Sequence, residues 1–253
     1  MIPIRAKLAS GEPTFGTWLA IGSPLAAEIV GNAGYDWLII DTQHGGASEA
    51  HLVGLLQALD ATGTPGLVRV NWLDQALIMR AVDLGAAGIV VPLVNTAAEA
   101  RAAVAACRYP PNGIRSFGPL RGFRGPGAPI DEPLCLVMIE TVEALANLEA
   151  IAATPGLDGL FVGPVDLALS MGHPLGFEMP GAVLDAIAQV AEVCRTHGLI
   201  TASVALGAAN AEAQLDRGVR FLAMGGDTQL LGMAAAENVR VLRQCAARGG
   251  QAA

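Results

Sequence analysis

The sequence predicts a (β/α)8 TIM barrel of the α/β class. Short apolar runs alternate along the chain with segments of helical periodicity, which is the pattern of parallel strands joined by crossover helices. Eight such units in 253 residues match the usual size of this barrel, whereas a doubly wound sheet usually has about five or six strands. No linker, charge block or low-complexity tract divides the chain, so residues 1–253 are expected to form one domain.

The strands are predicted where a short apolar run is bounded by turn residues or ends in a polar residue. They are Phe15–Ile21, Trp37–Asp41, Leu67–Val70, Gly88–Leu93, Leu134–Glu140, Gly159–Gly163, Ile200–Ala205 and Phe221–Gly225. The helices that follow are Pro24–Asn32, Ser48–Thr62, Asp74–Leu84, Thr96–Cys107, Val142–Ala153, Val183–His197, Ala208–Arg217 and Thr228–Ala247. Glycines at the junctions that lead into the next strand are typical of helix C-caps.

One connection is too long for a simple turn. Residues 110–133 are rich in Pro, Gly and Arg and lie between a predicted helix and the fifth strand. This segment is expected to be a lid, an oligomer contact, or both.

Composition excludes several classes of partner. A net charge of −8 argues against binding to nucleic acid or to anionic membranes. No run is apolar enough to span a bilayer, and residues 1–7 lack the apolar core of a signal peptide, so a cytoplasmic protein is expected.

The four cysteines are scattered and are expected to be reduced. With 53% hydrophobic and only 15% charged residues, part of the apolar surface is expected to lie between subunits.

Two neighbouring strands end at acidic residues. The run Gly159–Gly163 leads through Pro164 and Val165 to Asp166, and Leu134–Ile139 leads to Glu140. Free N–H groups at the turn after Gly163 suit an anion, and two carboxylates at one mouth suit a divalent cation that keeps positions for water and substrate. The alternative is that both acids only cap the helices that follow them.

Three further residues are expected at the same end of the barrel, where active sites of this fold lie. Asp41 ends the second strand, and His44 follows it in a glycine-flanked loop, as a general base would. Arg69 lies within the third strand and suits an enolate or carboxylate oxygen. A surface histidine and a buried ion pair are the alternatives for His44 and Arg69.

Residues and motifs that the sequence lacks exclude several catalytic mechanisms. The only lysine is Lys7, ahead of the first strand, so a Schiff base or pyridoxal phosphate has no lysine at a strand end. The four histidines are too dispersed for a histidine-rich zinc site, which leaves Mg²⁺, Mn²⁺ or a similar ion such as Co²⁺. No phosphate-binding glycine loop or GxSxG motif is present, so nucleotide and serine-hydrolase chemistry lose their support.

Several motifs resemble one family in order along nearly the whole chain. They lie at residues 15–18 (FGTW), 36–44 (DWLIIDTQH), 68–70 (VRV), 115–118 (RSFG), 139–141 (IET) and 163–167 (GPVDL). These resemble the HpcH/HpaI aldolases, metal-dependent class II pyruvate aldolases whose barrel is of the phosphoenolpyruvate/pyruvate-domain type. The resemblance implies a lyase that reversibly cleaves 4-hydroxy-2-oxoacids to an aldehyde and pyruvate, or a related 2-oxoacid such as hydroxypyruvate.

The resemblance also implies roles for residues. Glu140 and Asp166 would be the metal ligands, and substrate would contact Gly163, Pro164, Val165 and Ser116. Arg69 would stabilise the enolate, and His44 would move the proton of the adduct hydroxyl. Asp41, or Asp83 reaching the site in the assembled oligomer, would hold the tautomer of His44. The family implies a hexamer, a trimer of dimers, with the C-terminal helix exchanged between subunits.

One position departs from the family. Many members carry Gln two residues before the metal-binding Glu, where this chain has Met138, which leaves the 2-oxoacid open. A CoA-ester lyase of the citryl- or malyl-CoA type and a non-catalytic barrel are the alternative functions.

Overall fold

The computed structural model describes residues 4–121, 132–174, 176 and 178–249. Eight parallel strands close into one barrel in sequence order, with β8 paired to β1. The strands are β1 Thr14–Leu19, β2 Trp37–Asp41, β3 Gly66–Arg69, β4 Gly88–Val91, β5 Leu134–Ile139, β6 Gly159–Val162, β7 Ile200–Ala205 and β8 Phe221–Gly226. The predicted fold class is confirmed.

Helices follow the strands with three differences from the prediction. They are α1 Ile4–Ala9, α2 Pro24–Gly31, α3 Glu49–Thr62, α4 Gln75–Asp83, α5 Ala97–Cys107, α6 Val142–Ala146, α7 Leu148–Ala152, α8 Pro164–Ser170, α9 Gly181–His197, α10 Ala208–Asp216 and α11 Asp227–Gly249. The single helix predicted from Val142 to Ala153 is two helices that meet at Asn147. Helices α1 and α8 were not predicted, because both are too short to show a full helical period.

Large side chains fill the barrel, and α1 closes its N-terminal end. Trp37 and Phe221 stack inside the barrel with ring centroids 3.7 Å apart. Ile4 of α1 belongs to the same apolar cluster. Arg5 fixes the helix by donating to the Pro133 carbonyl and to the carboxylate of Asp158, which precede β5 and β6. The open mouth is therefore at the C-terminal strand ends.

The described part of the 110–133 segment lies at the closed end. Arg115 donates to Asp83 at the C-terminus of α4, and the N–H groups of Leu120 and Arg121 donate to the Asp83 carbonyl. Helices of this barrel run antiparallel to the strands, so the end of α4 lies at the N-terminal strand ends. Residues 110–121 therefore do not form a lid over the mouth of their own chain. Residues 122–131 of the predicted lid lie outside the described residues.

The last helix leaves the barrel surface. All side chains of residues 228–248 are exposed, among them Leu231 at 64% and Leu242 at 69%. Near the start of this helix the outer face of the barrel is also uncovered, since Phe15 of β1 and Met224 of β8 are about half exposed. Among the described residues no helix is long and apolar enough to cross a membrane.

Candidate active site

Asp41 and Arg69 form a buried ion pair at the mouth. They are register partners at the ends of β2 and β3. The Arg69 guanidinium donates from Nε to Oδ1 at 2.9 Å and from Nη2 to Oδ2 at 2.6 Å, and both residues are under 10% exposed. The ring of Trp18 covers one face of the guanidinium, with its centroid 4.4 Å from Cζ. Asp41 therefore fixes the edge of the Arg69 guanidinium and Trp18 covers its face, while Nη1 donates no hydrogen bond to any described residue.

Asp41 shapes the loop that carries His44 but does not hold the histidine ring. Its Oδ1 accepts the backbone N–H groups of Gln43 and His44 at 3.0 and 3.2 Å. The imidazole of His44 is exposed, and no side chain of residues 4–121, 132–174, 176 and 178–249 hydrogen-bonds to it. The expectation that Asp41 fixes the tautomer of His44 therefore has no contact in the single chain. Asp41 positions the His44 backbone instead.

Glu140 is a buried acid at the mouth, and its pKa is raised. Its side chain is almost fully buried at 3% exposure, and Oε1 accepts the Leu93 N–H at 2.7 Å. Burial raises the pKa of the Glu140 carboxyl to about 7; the Leu93 hydrogen bond lowers it, the charge of Asp166 raises it, and the charge of Arg69 lowers it. Glu140, Asp166 and Arg69 therefore act on one another at one site.

Two neighbours of Glu140 fix the position of its carboxylate. Leu93 has a φ of 52°, and among the described residues it is the only one other than glycine with a positive φ. That strained conformation aims its N–H at Oε1. Gly163 lies against the other oxygen, because a Cβ at this position would be 2.4 Å from Oε2. Any larger residue at 163 would displace the carboxylate.

The donor set fits a hard divalent cation. Glu140 and Asp166 bring two carboxylates together, and no described Arg, Lys or His forms an ion pair with either. A cation between them would stabilise the buried Glu140 carboxylate and offset its repulsion by Asp166. Within the described ranges no group of three or more His, Cys, Asp or Glu residues is arranged to hold a metal. The protein would therefore supply only these two acids, and water and substrate would supply the other ligands.

Two predicted site residues lie elsewhere in the chain. Asp83 ends α4 and pairs with Arg115 at 2.6 Å, and exposed Ser116 follows Arg115. Both are at the N-terminal end of the barrel, opposite Glu140 and Asp166. In a single chain they cannot contact the same ligand as the residues of the mouth.

Sequence reasoning missed three residues that position the mouth. Leu93 and Trp18 are described above. Asp227, the first residue of α11, is 4% exposed, and its carboxylate accepts the N–H groups of Ala20 at 2.8 Å and of Ile21 at 3.1 Å, just after β1. Asp227 gave a signal only by its position after a strand end, and Trp18 only as part of the FGTW motif at residues 15–18. The positive φ of Leu93 left no signal in the sequence.

Comparison with known proteins gives consistent matches. The family model described as HpcH/HpaI aldolase/citrate lyase matches residues 14–234. A hydroxypyruvate/pyruvate aldolase of Pseudomonas aeruginosa is 39% identical over 255 residues, covering 96% of this chain and 91% of the relative. A 4-hydroxy-2-oxovalerate aldolase of Rhodococcus jostii is 41% identical over 237 residues, covering 90% of each. The crystal structure of an HpcH/HpaI aldolase from Desulfitobacterium hafniense superposes with a TM-score of 0.83 at 27% identity, covering 94% of this chain and 96% of that chain.

Proposed function

The chain belongs to the HpcH/HpaI aldolase/citrate lyase family, and from that membership we propose its reaction and the residues that perform it. It is a class II pyruvate aldolase, a lyase that reversibly cleaves a 4-hydroxy-2-oxoacid to pyruvate, or a related 2-oxoacid such as hydroxypyruvate, and an aldehyde. The observation that carries the site assignment is the buried Glu140 carboxylate, which accepts the Leu93 N–H, lies near Asp166 and has no Lys, Arg or His ion-pair partner among the described residues. Relatives named as aldolases favour this reaction over a CoA-ester lyase.

Glu140 and Asp166 would hold a divalent ion, which is Mg²⁺, Mn²⁺ or Co²⁺. Such an ion would polarise the keto group of the 2-oxoacid as a Lewis acid. The N–H groups of Val165 and Asp166, in the first turn of α8 after Gly163 and Pro164, would face the substrate carboxylate, because the Gly163 N–H already donates to the Ile139 carbonyl.

Arg69 would stabilise the negative charge of the enolate, and His44 would transfer the proton of the 4-hydroxyl. The free Nη1 of Arg69 would donate to the oxygen that becomes the enolate, and the contacts to Asp41 and Trp18 keep the guanidinium ready without reorganisation. The imidazole of His44 would accept the proton of the 4-hydroxyl as the C3–C4 bond breaks, and would return it in the aldol direction.

The function is tested by exchange of pyruvate protons with solvent. In D₂O with Mn²⁺ or Mg²⁺, the enzyme is expected to incorporate deuterium into the methyl group of pyruvate, as followed by NMR. Exchange is expected to stop in excess chelator and to return when the ion is restored. Absence of exchange under both conditions would contradict the proposed enolisation, whichever aldehyde is the natural acceptor.

Metal affinity is expected to depend on pH through Glu140. Because the pKa of this carboxyl is raised to about 7 in the metal-free site, a proton competes with the metal below that pH. Calorimetric titration with Mn²⁺ should show affinity falling by about tenfold per pH unit below 7 and changing little above 8. Affinity that is flat from pH 5.5 to 7 would rule out Glu140 as a ligand.

We propose that the chain works as a homo-oligomer, a hexamer of three dimers, in which α11 packs on a neighbouring subunit. Three observations support this: α11 is exposed along its length, the faces of β1 and β8 are uncovered, and Leu25 and Ile29 of α2 are exposed by 67% and 65%. Asp83 and Ser116 could then reach the mouth of another subunit. Light scattering is expected to give a mass about six times the 25.8 kDa of the chain. A monomer mass would contradict the exchange of α11.

A further inference from the structure

We propose that the acceptor aldehyde of this enzyme is neutral and largely apolar, and that aldehydes carrying a carboxylate or phosphate are poor acceptors. The inference rests on the proposed aldolase function and names the substrate class of the same site. In the aldol direction the electron pair of the enolate forms the new C3–C4 bond and the aldehyde oxygen takes up a proton. The rest of the aldehyde must therefore lie in the mouth, against the loops that follow the strands.

Those loops carry no lysine or arginine that could pair with an anionic substituent. The described residues of these connections, 20–23, 42–48, 70–74, 92–96, 140–141, 163, 171–174, 176, 178–180 and 206–207, include neither Lys nor Arg. Arg69, the last residue of β3, is the arginine at the C-terminal end of a described strand. Its Nε and Nη2 already donate to Asp41. An anionic tail would have to compete with Asp41, or with the enolate oxygen for Nη1.

Within a single chain, the charges that remain at the mouth repel anions. Glu140 and Asp166 have no basic partner among the described residues, and a divalent ion would neutralise the two charges without leaving an excess. The carboxylate of the 2-oxoacid would add a further negative charge beside them. A second anionic group therefore lowers the affinity of the acceptor.

The rim supplies apolar contacts instead. Five exposed apolar side chains follow five different strand ends: Ile21 after β1 (37%), Trp72 after β3 (58%), Val142 after β5 (50%), Val165 after β6 (44%) and Leu206 after β7 (42%). The charged residues beside them in the sequence, Asp74, Glu143 and Asp166, are all acidic. Apolar side chains on several loops around one mouth form a surface that favours an apolar substituent.

The test compares acceptors that differ only in charge. Aldol rates are measured with pyruvate and Mn²⁺ on 4-oxobutanoate, its methyl ester and butanal. The ester and butanal are expected to have a kcat/KM at least about tenfold above that of 4-oxobutanoate. The rate with 4-oxobutanoate is expected to rise with added salt, because salt screens repulsion. An equal or higher kcat/KM for 4-oxobutanoate, or a rate with it that falls with salt, would overturn the proposal and indicate a cation supplied by another subunit.

A variant at the rim tests the same inference by adding the missing charge. Leu206→Arg is expected to raise kcat/KM for 4-oxobutanoate relative to its ester by about tenfold, whereas the uncharged Leu206→Gln leaves the ratio as in wild type. An unchanged ratio in Leu206→Arg would contradict the proposal. Deuterium exchange into pyruvate, measured on the same samples without aldehyde, separates this failure from failure of the aldolase function.

Discussion

Glu140→Gln is expected to abolish metal binding and aldol cleavage together. The amide keeps the size of the side chain and its contact with the Leu93 N–H, but it removes the negative charge that the cation needs. We expect the affinity for Mn²⁺ to fall by at least about 100-fold and turnover by about 1,000-fold or more. Calorimetry and the pyruvate exchange assay measure the two effects independently.

The same variant has a distinctive effect on stability. The pKa of Glu140 is raised in the folded protein, so its contribution to stability is present at acid pH and is lost as the pH rises through about 7. Without metal at pH 8, Glu140→Gln should therefore unfold at a higher temperature than wild type, because a buried and unpaired charge is gone. A lower melting temperature of the variant, or activity of the variant that persists in chelator, would contradict the assignment of Glu140 as a buried metal ligand. Glu143→Gln in α6, three residues away, is the matched control.

Arg69→Ala is expected to damage both catalysis and folding. It removes the donor proposed for the enolate oxygen and leaves the buried Asp41 carboxylate without its partner. Loss of one partner of a buried pair typically costs about 3–5 kcal/mol, and loss of a donor to a developing oxyanion costs about 100- to 1,000-fold in kcat. Urea denaturation and steady-state kinetics measure these two losses.

Two further variants separate these effects. Arg69→Lys keeps the charge but cannot donate in parallel to both Asp41 oxygens, so it is expected to recover little of the kcat. Asp41→Asn in the Arg69→Ala background removes the unpaired charge and should recover stability without recovering turnover. Recovery of turnover in that double variant would show that Arg69 acts only through the fold.

The fold was predictable because its signal is repeated. Eight apolar runs separated by helical segments leave few alternatives, and every predicted strand agrees with the structure to within about two residues at each end. The short helices α1 and α8 and the break at Asn147 depend on one or two turns of chain, where no periodicity can develop. The position of residues 110–121 could have been deduced, since a connection from a helix to a strand lies at the closed end of such a barrel.

The sequence predicted which residues of the site lie at strand ends, but it did not predict what those residues contact. Asp41, Arg69, Glu140 and Asp166 follow from the rule that strand ends converge at the mouth. The sequence left Arg69 either facing the mouth or paired with an acid, and only coordinates show that Asp41 binds it through two nitrogens. The conformation of Leu93 depends on backbone strain imposed by its surroundings, which has no pattern in a single sequence.

Asp227 ties the mouth to the helix that leaves the barrel. Its carboxylate accepts the backbone N–H groups of Ala20 and Ile21 after β1, and the same residue is the first of α11. In the proposed oligomer, a neighbour that binds α11 would also steady the segment next to Trp18 and thus the support of Arg69. If the chain forms this oligomer, activity per chain would depend on protein concentration: dilution that dissociates the assembly would loosen the active site, and reconcentration would restore it.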